Sequence, residues 1–261
     1  MKKKLLIAAL SALLLINTMS PLSMAFSDTD NSDYKSAITE LTELGVISGF
    51  EDGTFKPEAN VTRAEAAKMF AAAKGFTGKP TDYYFLNRRS GFSDFTSTHW
   101  AYPYAYYLMP EYYRMDENGN EIRAVRVIDG FEDGTFRPED NITLVQFLKM
   151  AVCCMGDWGY YQEVGENGGY PDGYIYVAKK YGFSDGIDLS DINAYTTREQ
   201  AAKILSNTIN LPMITELMKI QVSNYREIID KNYNGNIPRV TLKSMLQSGN
   251  WIAESMEDYI K

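Results

Sequence analysis

The sequence predicts a mainly helical protein built from three consecutive helix-turn-loop-helix units, with a helical C-terminal tail. The first observation behind this prediction is a ten-residue segment that begins at Gly49 and recurs at Gly130, 81 positions later, with one Lys-to-Arg change. The second is a Thr followed three residues later by Glu or Gln, at Thr62, Thr143 and Thr197. Apolar residues after each Thr fall on one helical face. Since one such unit cannot bury its own apolar face, the units must pack together.

The N-terminal residues 1–25 are predicted to be a signal peptide. Lysines at positions 2–4 precede an apolar run over positions 5–16, and a small-residue cleavage site ends at Ala25. That run is shorter than the roughly 20 residues that a membrane-spanning helix needs. We therefore expect a secreted chain that does not insert into the membrane after cleavage, with an uncleaved anchor as the alternative.

The first unit is assigned to residues 26–77. Its first helix is predicted from the apolar spacing that starts at Ala37 and Ile38. A turn at Asp52-Gly53 follows, since Gly tolerates a positive φ. Thr62 and Glu65 then fit a capping box, in which the Thr hydroxyl accepts from a backbone N–H and the Glu side chain reaches back. This box predicts the start of the second helix.

The second unit is assigned to residues 91–158 and carries an insertion over 110–123, whose polar centre is typical of a hairpin tip. The third unit, 168–211, is degenerate because it keeps little of the repeated loop. Its first helix is predicted to present Ile175, Ala178 and Tyr181 on its apolar face.

The tail, residues 213–261, is predicted to contain a helix over 214–229 and a short helix from Thr241. Between them, positions 230–237 partly match a calcium-binding loop. Thr replaces the Glu that such a loop needs at its twelfth position, so a polar turn between two helices is the favoured interpretation.

The charge balance limits the classes of ligand. The chain has 26 Lys+Arg against 34 Asp+Glu, a formal net charge of −8, and loss of the three leading lysines makes it −11. Proteins that coat nucleic acid or anionic membranes need a basic face, so neither partner is expected. An anionic ligand would have to be held by a few well-placed cations.

Other residues give no sign of catalysis or of a cofactor. The adjacent Cys153 and Cys154 exclude a spaced disulfide framework and a metal-ligand pair. They are interpreted as small residues of a helix, with a vicinal disulfide as the alternative. His99 is the one histidine, so a catalytic triad or a zinc site is not expected. The sequence lacks nucleophile-elbow, phosphate-loop and dinucleotide-binding motifs. We therefore predict no enzyme activity, no metal and no cofactor.

The combined motifs resemble the S-layer homology (SLH) domain over about residues 26–211. In the first unit the matching segments are Phe26-Ser27-Asp28, Gly45-Val46-Ile47-Ser48-Gly49, Gly53-Thr54-Phe55-Lys56-Pro57 and Thr62-Arg63-Ala64-Glu65. In the second they are Phe92-Ser93-Asp94, His99-Trp100, Val127-Ile128-Asp129-Gly130 and Gly134-Thr135-Phe136-Arg137-Pro138. The third unit opens with the degenerate Tyr170-Pro171-Asp172-Gly173-Tyr174.

The resemblance implies three tandem SLH repeats in one pseudo-threefold helical bundle. Such domains anchor proteins non-covalently to the bacterial cell wall, so the chain is expected at the cell wall or S-layer surface. The ligand implied is a peptidoglycan-linked secondary cell-wall polysaccharide, often bearing pyruvate ketals. It is bound in grooves between neighbouring repeats and contacted by the Arg of the Thr-Arg-Ala-Glu motif.

Arg63 and Arg198 are the leading candidate ligand contacts. Each follows a helix N-cap, where backbone N–H groups and the helix dipole favour an anion. The guanidinium adds bidentate donors suited to a carboxylate. The alternative is a salt bridge to a neighbouring repeat. We expect substitution of both by Ala to abolish binding to wall sacculi while the fold persists. Leu144 stands where the second unit should have its Arg, so that groove is expected to be weak or silent.

Five further residues are candidates by their match to the family motifs. Ser48 and Gly49 belong to the Gly-Val-Ile-Ser-Gly segment. Trp100 is expected in a groove wall, with ordinary core packing as the alternative. Asp28 and Asp94 could accept hydrogen bonds from sugar hydroxyls, and helix capping explains them equally well.

The sequence therefore favours a non-enzymatic wall-anchoring protein. Two other functions stay open. One is a module that binds other envelope proteins through the bundle or the tail. The other is a wall-active glycan hydrolase whose carboxylate pair is not recognisable from the sequence.

Overall fold

A computed structural model describes residues 26–76, 91–109, 114–115, 121–122, 126–155, 163–211 and 241–248. The predicted signal peptide, the predicted helix over 214–229 and the calcium-loop match at 230–237 lie outside these residues.

The described residues are mainly helical, as predicted. The helices are α1 Lys35–Glu43, α2 Arg63–Ala73, α3 Tyr102–Tyr107, α4 Leu144–Cys154, α5 Asp172–Tyr181, α6 Arg198–Asn210 and α7 Leu242–Ser248. Each of the three units contributes one helix pair, and α7 belongs to the tail. None of the described helices combines the length and the apolar character needed to cross a bilayer.

A short antiparallel hairpin lies in the predicted insertion of the second unit. Its strands are β1 Arg114–Met115 and β2 Glu121–Ile122, with Arg114 opposite Ile122 and Met115 opposite Glu121. These strands flank the segment that was predicted as a hairpin tip, which itself lies outside the described residues.

All three predicted capping boxes are present. Helices α2, α4 and α6 follow Thr62, Thr143 and Thr197 in extended conformation, and each Thr side chain accepts from the backbone N–H three residues on. In return, the Glu or Gln side chain at that third position accepts from the backbone N–H of the Thr. The reciprocal bonds satisfy N–H groups that a helix start otherwise leaves without partners.

A closed ring of backbone hydrogen bonds joins the three units just before these helices. Val61 N–H donates to the Thr196 carbonyl, Thr196 N–H to the Ile142 carbonyl, and Ile142 N–H to the Val61 carbonyl, each at 2.9 Å. A pseudo-threefold bundle would bring equivalent positions of the three units together in this way about one axis. The arrangement of all helices about that axis stays a prediction.

Helix packing also links the units in a cycle. The first helix of each unit packs against the second helix of the preceding unit: α3 on α2, α5 on α4, and α1 on α6. The second helices also contact one another. Large side chains at their centre are fully buried, among them Phe70, Phe147 and Ile142. The units therefore share one apolar core, as expected for units that cannot bury their own faces.

Helix α5 differs in detail from its prediction. Its buried residues include Tyr174, Val177 and Ala178, whereas the predicted Ile175 and Tyr181 are only partly buried. The observed buried face is therefore rotated by about one position from the predicted one. Of the three predicted residues, only Ala178 is fully buried.

The two cysteines are free thiols buried in α4, which agrees with the interpretation as small helix residues. Burial raises the pKa of the Cys154 thiol to about 11. The vicinal disulfide is absent.

The tail returns to the bundle through α7, the short helix predicted from Thr241. Ser244 N–H donates to the Thr241 hydroxyl, which caps the helix start. Leu242 is buried, and Lys243 Nζ lies 2.6 Å from Glu40 Oε1 of α1. This part of the tail is thus part of the folded structure.

Replacing Thr196 by Val is expected to stabilise the protein by about 1 kcal/mol. The Thr196 hydroxyl is buried beside this ring of hydrogen bonds and, among the described residues, has no hydrogen-bond partner. A buried polar group without a partner costs free energy, and Val has nearly the same shape. The equivalent positions already hold the apolar Val61 and Ile142. Urea unfolding measures the change, and a lower free energy of unfolding for Thr196→Val would mean that the hydroxyl has a partner.

Candidate functional site

Two cavities lie at equivalent places in the first and second units. We call them the Arg198 cavity, of about 260 Å³, and the Arg63 cavity, of about 350 Å³. Eight lining positions correspond between the two cavities: Val46 and Val127, Ile47 and Ile128, Ser48 and Asp129, Gly49 and Gly130, Phe50 and Phe131, Glu65 and Gln146, Lys68 and Lys149, Met69 and Met150. The repeated sequence has therefore produced a repeated cavity.

Each cavity is completed by an arginine from a neighbouring unit. Arg198, the first residue of α6 in the third unit, reaches into the first unit. Its Nε donates to the Phe55 carbonyl at 2.8 Å and its Nη2 to the Ser48 carbonyl at 3.0 Å. The guanidinium carbon lies 4.8 Å from the centre of the Phe50 ring and 4.7 Å from that of Phe55.

Arg63 repeats this geometry between the first and second units. Its Nε donates to the Phe136 carbonyl at 2.7 Å and its Nη2 to the Asp129 carbonyl at 2.8 Å. Its guanidinium carbon is 4.8 Å from the ring centres of both Phe131 and Phe136. Both arginines are therefore held in place by two carbonyls and two aromatic rings of the neighbouring unit.

The two arginines are buried but still charged. Arg63 is 9% exposed and Arg198 is 6% exposed. Burial lowers the pKa of each guanidinium, while nearby carboxylates, such as Asp140 for Arg63 and Glu65 for Arg198, oppose that change. Because a guanidinium loses its proton only far above neutral pH, both arginines remain cations at neutral pH in spite of this lowering of the pKa.

The helix starts beside the arginines are not open anion sites, which corrects part of the expectation from the sequence. Arg63 N–H donates to the Asp140 carbonyl and Ala64 N–H to the Pro138 carbonyl, both at 2.9 Å. Glu65 N–H donates to the Thr62 hydroxyl. The first N–H groups of α2 are thus occupied by the neighbouring unit and the cap. Any attraction for an anion must come from side-chain cations.

Aromatic side chains form an open wall in both cavities. Trp100 lines the Arg198 cavity and is 48% exposed. Tyr170 and Tyr174 line the Arg63 cavity, and Tyr170 is more exposed than Trp100. The structure thus brings Trp100 together with Ser48, Gly49 and Arg198.

Asp28 and Asp94 lie outside both linings and hold loop backbone in place. Asp28 accepts from the N–H groups of Phe55 at 2.8 Å and Lys56 at 2.7 Å. Asp94 makes the same pair of bonds to the second repeated loop. Lys56 has a φ of 58°, a conformation that non-glycine residues rarely adopt. These carboxylates therefore stabilise the loop whose carbonyls hold the arginines, rather than cap a helix.

Gly49 is explained by packing as well as by its position in the cavity. A Cβ at this position would lie 2.2 Å from Cε1 of Phe26 and 2.6 Å from the Thr54 carbonyl oxygen. Gly130 has the same close approach to Phe92. The glycine is needed because the aromatic residue that opens each unit packs directly on it.

The position equivalent to the arginines in the second unit is occupied by Leu144, which is 2% exposed. The corresponding region of the third unit is bridged by Tyr34, whose hydroxyl donates to the Gly186 carbonyl at 2.9 Å. Arg137 does not substitute for the missing Arg: it pairs with Asp133 at 2.7 Å and stacks on the face of Phe131. The expectation of a weak or silent third groove stays a prediction.

Two lysines that were not predicted from the sequence, Lys68 and Lys149, line the two cavities. The sequence pattern that points to these lysines is a Lys six residues after each capping Thr. Lys203 has the same spacing in the third unit. A comparison of the three α-helical segments position by position would have found them.

The side chains of the two cavities suit the binding of a ligand. Each cavity combines a buried guanidinium, a lysine ammonium and an aromatic wall, a set of groups that suits a polar ligand with sugar rings. Among the residues that the structure describes, no group of three His, Cys, Asp or Glu side chains could hold a metal ion.

Two stretches of the chain that contribute to the cavities match a known protein family. Residues 25–67 and 123–148 match the family model of the S-layer homology domain. Each stretch contains six of the eight matched lining positions of its unit, since Lys68 and Met69 lie just beyond the first stretch and Lys149 and Met150 just beyond the second.

Three relatives extend the comparison. The "Cellulosome-anchoring protein" of Acetivibrio thermocellus is 34% identical over 101 residues, 39% of this chain and 19% of that protein. The "Middle cell wall protein" of Brevibacillus brevis is 23% identical over 263 residues, 98% of this chain and 22% of that protein. An "Endoglucanase" of a Bacillus species is 28% identical over 171 residues, 58% of this chain and 15% of that protein. The chain thus spans less than a quarter of each of these proteins. Two segments of this chain, one in each of the units that contain a cavity, thus match the S-layer homology domain.

Proposed function

We propose that this chain anchors a protein to the bacterial cell wall by binding an anionic secondary cell-wall polysaccharide, one that carries pyruvate ketals. The match to the S-layer homology domain and the cell-wall relatives support a location at the cell-wall, S-layer surface. The observation that carries the proposal is the pair of matched cavities, each with a buried arginine from a neighbouring unit.

The chemistry of the cavities supports an acidic sugar as the ligand. The mature chain is acidic overall, so bulk electrostatics would repel such a polymer. Discrete cations next to an aromatic wall overcome this locally, because a guanidinium or ammonium forms strong hydrogen bonds to a carboxylate. Sugar rings pack their C–H faces on exposed aromatic rings such as Trp100 and Tyr170.

The relatives also bear on the enzymatic alternative. The match to the endoglucanase covers a small part of that enzyme. A wall-binding module shared by the two proteins therefore explains the match as well as a shared catalytic domain does. The name of the cellulosome-anchoring relative favours attachment as the role of the shared segment. We therefore propose that the chain binds wall glycan without cleaving it.

Sedimentation with purified wall sacculi tests the proposal. The protein is expected to pellet with native sacculi, to bind more weakly after removal of pyruvate, and to stay in solution after removal of the polysaccharide. Binding to stripped sacculi that equals binding to native sacculi would favour recognition of another envelope component. Release of soluble glycan on incubation would favour the hydrolase.

Substitution of Trp100 by Ala is expected to weaken sacculus binding about tenfold, the size of effect that loss of one exposed aromatic contact produces in a binding site. The fold should persist because Trp100 is half exposed. Tyr195→Ala is the matched control, since Tyr195 is 55% exposed and lines neither cavity. Equal binding by the two variants in the pull-down would remove Trp100 from the site.

A further inference from the structure

The two cavities differ at two of their matched positions, and both changes involve a carboxylate. Ser48 of the Arg198 cavity corresponds to Asp129 of the Arg63 cavity, and Glu65 corresponds to Gln146. Each cavity therefore contains two cations and one carboxylate. In the Arg63 cavity the carboxylate is Asp129, which pairs with Lys149. In the Arg198 cavity it is Glu65, which lies near Arg198 instead.

In the Arg63 cavity the ammonium of Lys149 is fully used. Its Nζ donates to the Arg126 carbonyl at 2.6 Å, to the Val127 carbonyl at 3.2 Å and to Asp129 Oδ2 at 2.7 Å. An ammonium has three N–H donors, so these three acceptors leave none for a ligand. Asp129 also places a negative charge at the cavity mouth, since its side chain is 55% exposed.

In the Arg198 cavity the corresponding ammonium is available. Lys68 is exposed, and no hydrogen bond or ion pair joins its side chain to another of the described residues. The carboxylate of this cavity lies elsewhere: Glu65 Oε1 is 3.8 Å from Arg198 Nη1, and its Oε2 accepts from Thr62 N–H at 2.9 Å. At the position that matches Asp129, the Arg198 cavity has Ser48. Its neutral hydroxyl does not repel an anion, whereas the Asp129 carboxylate does.

We infer that one matched position, Ser48 in the Arg198 cavity and Asp129 in the Arg63 cavity, determines which part of the polysaccharide each cavity binds. The Arg198 cavity takes the carboxylate-bearing sugar through Lys68. The Arg63 cavity takes an uncharged sugar residue, because Asp129 occupies Lys149 and disfavours a second carboxylate. This inference rests on the polysaccharide binding proposed above.

Two reciprocal variants test the inference. Ser48→Asp gives the Arg198 cavity the carboxylate of its counterpart, and Asp129→Ser frees Lys149. The probes are short fragments of wall polysaccharide released from sacculi, used with their pyruvate ketals and after removal of those ketals. Calorimetry gives the dissociation constant and the number of sites. Lys68→Ala tests the contribution of the Lys68 ammonium, and Lys179→Ala on α5 is its control because Lys179 is also exposed.

The wild-type protein is expected to prefer fragments with pyruvate by about tenfold, as for a hydrogen-bonded charge pair at a partly exposed site. Ser48→Asp and Lys68→Ala should each remove that preference, while Lys179→Ala keeps it. Asp129→Ser should add a second site that also prefers pyruvate. Both effects should occur with an unchanged circular dichroism spectrum, because Ser48 and Asp129 are exposed.

The inference is overturned if Ser48→Asp keeps the full preference, or if Asp129→Ser adds no pyruvate-preferring site. It is also overturned if the wild-type protein binds both kinds of fragment equally, an outcome that leaves polysaccharide binding itself standing. A wild-type protein that binds neither kind of fragment overturns the proposed function and the inference together.

Discussion

Substituting Arg198 by Ala is expected to abolish binding in its cavity and, in addition, to lower the free energy of unfolding by about 2–4 kcal/mol. The guanidinium is buried and satisfies the carbonyls of Phe55 and Ser48. Truncation leaves these carbonyls without their charged donor and opens a void between two Phe rings. The same reasoning applies to Arg63 and its two carbonyls.

This result differs from the expectation that the sequence supports for the double substitution, in which the fold persists. The two sites lie at different unit boundaries, so their costs should be nearly additive. Their sum approaches the total stability of many single domains, which is about 5–15 kcal/mol. A double Ala variant that fails to bind sacculi is therefore uninformative unless its unfolding is measured as well.

Single variants and a matched control resolve this ambiguity. Arg137→Ala removes a guanidinium that is partly exposed, paired with Asp133 and stacked on Phe131. That change should cost less than about 1 kcal/mol, as for an exposed ion pair. Urea unfolding of Arg198→Ala and Arg137→Ala should therefore give clearly different losses. Equal losses would show that the carbonyl contacts of Arg198 contribute nothing beyond those of a surface arginine.

Gly49→Ala is expected to destabilise the protein by about 1–3 kcal/mol and to distort the Arg198 cavity. The new methyl group would overlap the Phe26 ring, and on its other side it would meet the backbone oxygen of Thr54. Overpacking of this kind forces side chains off their rotamers and shifts backbone. Phe26 packs on Phe55, with ring centres 5.4 Å apart, so its displacement is transmitted to the loop that holds Arg198.

The matched control is Gly165→Ala. Gly165 lies in a helical turn, and a Cβ there would have no heavy atom within 4 Å. Since Ala has the higher helix propensity, this change should be neutral or slightly stabilising. Thermal unfolding of both variants decides the matter. A melting temperature for Gly49→Ala at or above that of Gly165→Ala would contradict the packing role of Gly49.

Local structure was predictable where one short segment contains all the partners of a contact. The capping boxes at Thr62, Thr143 and Thr197 are of this kind, because donor and acceptor lie three residues apart. The turn at Asp52-Gly53 and the short helix after Thr241 belong to the same class. Each of these depends on neighbours in sequence, so the pattern of residue types was enough.

The candidate site was predictable only in part, because its contacts cross between units. A contact of Arg198 with a neighbouring unit was one of the two interpretations, but its position after a cap did not identify the carbonyls of Phe55 and Ser48 as the partners of its guanidinium. For the same reason the first N–H groups of α2 could not be known to be occupied. Asp28 bonds backbone 27 residues away, so neither the sugar-binding nor the helix-capping interpretation identified its loop contact.

The central claim, that polysaccharide binds in the two cavities, is tested most directly by mapping amide chemical-shift changes on adding the released wall fragments. We expect the changes to cluster at Ser48–Phe50 and Asp129–Phe131, with the Trp100 side chain, and to spare α7. Changes confined to α7 or to the exposed face of α5, with both clusters unaffected, would contradict the claim.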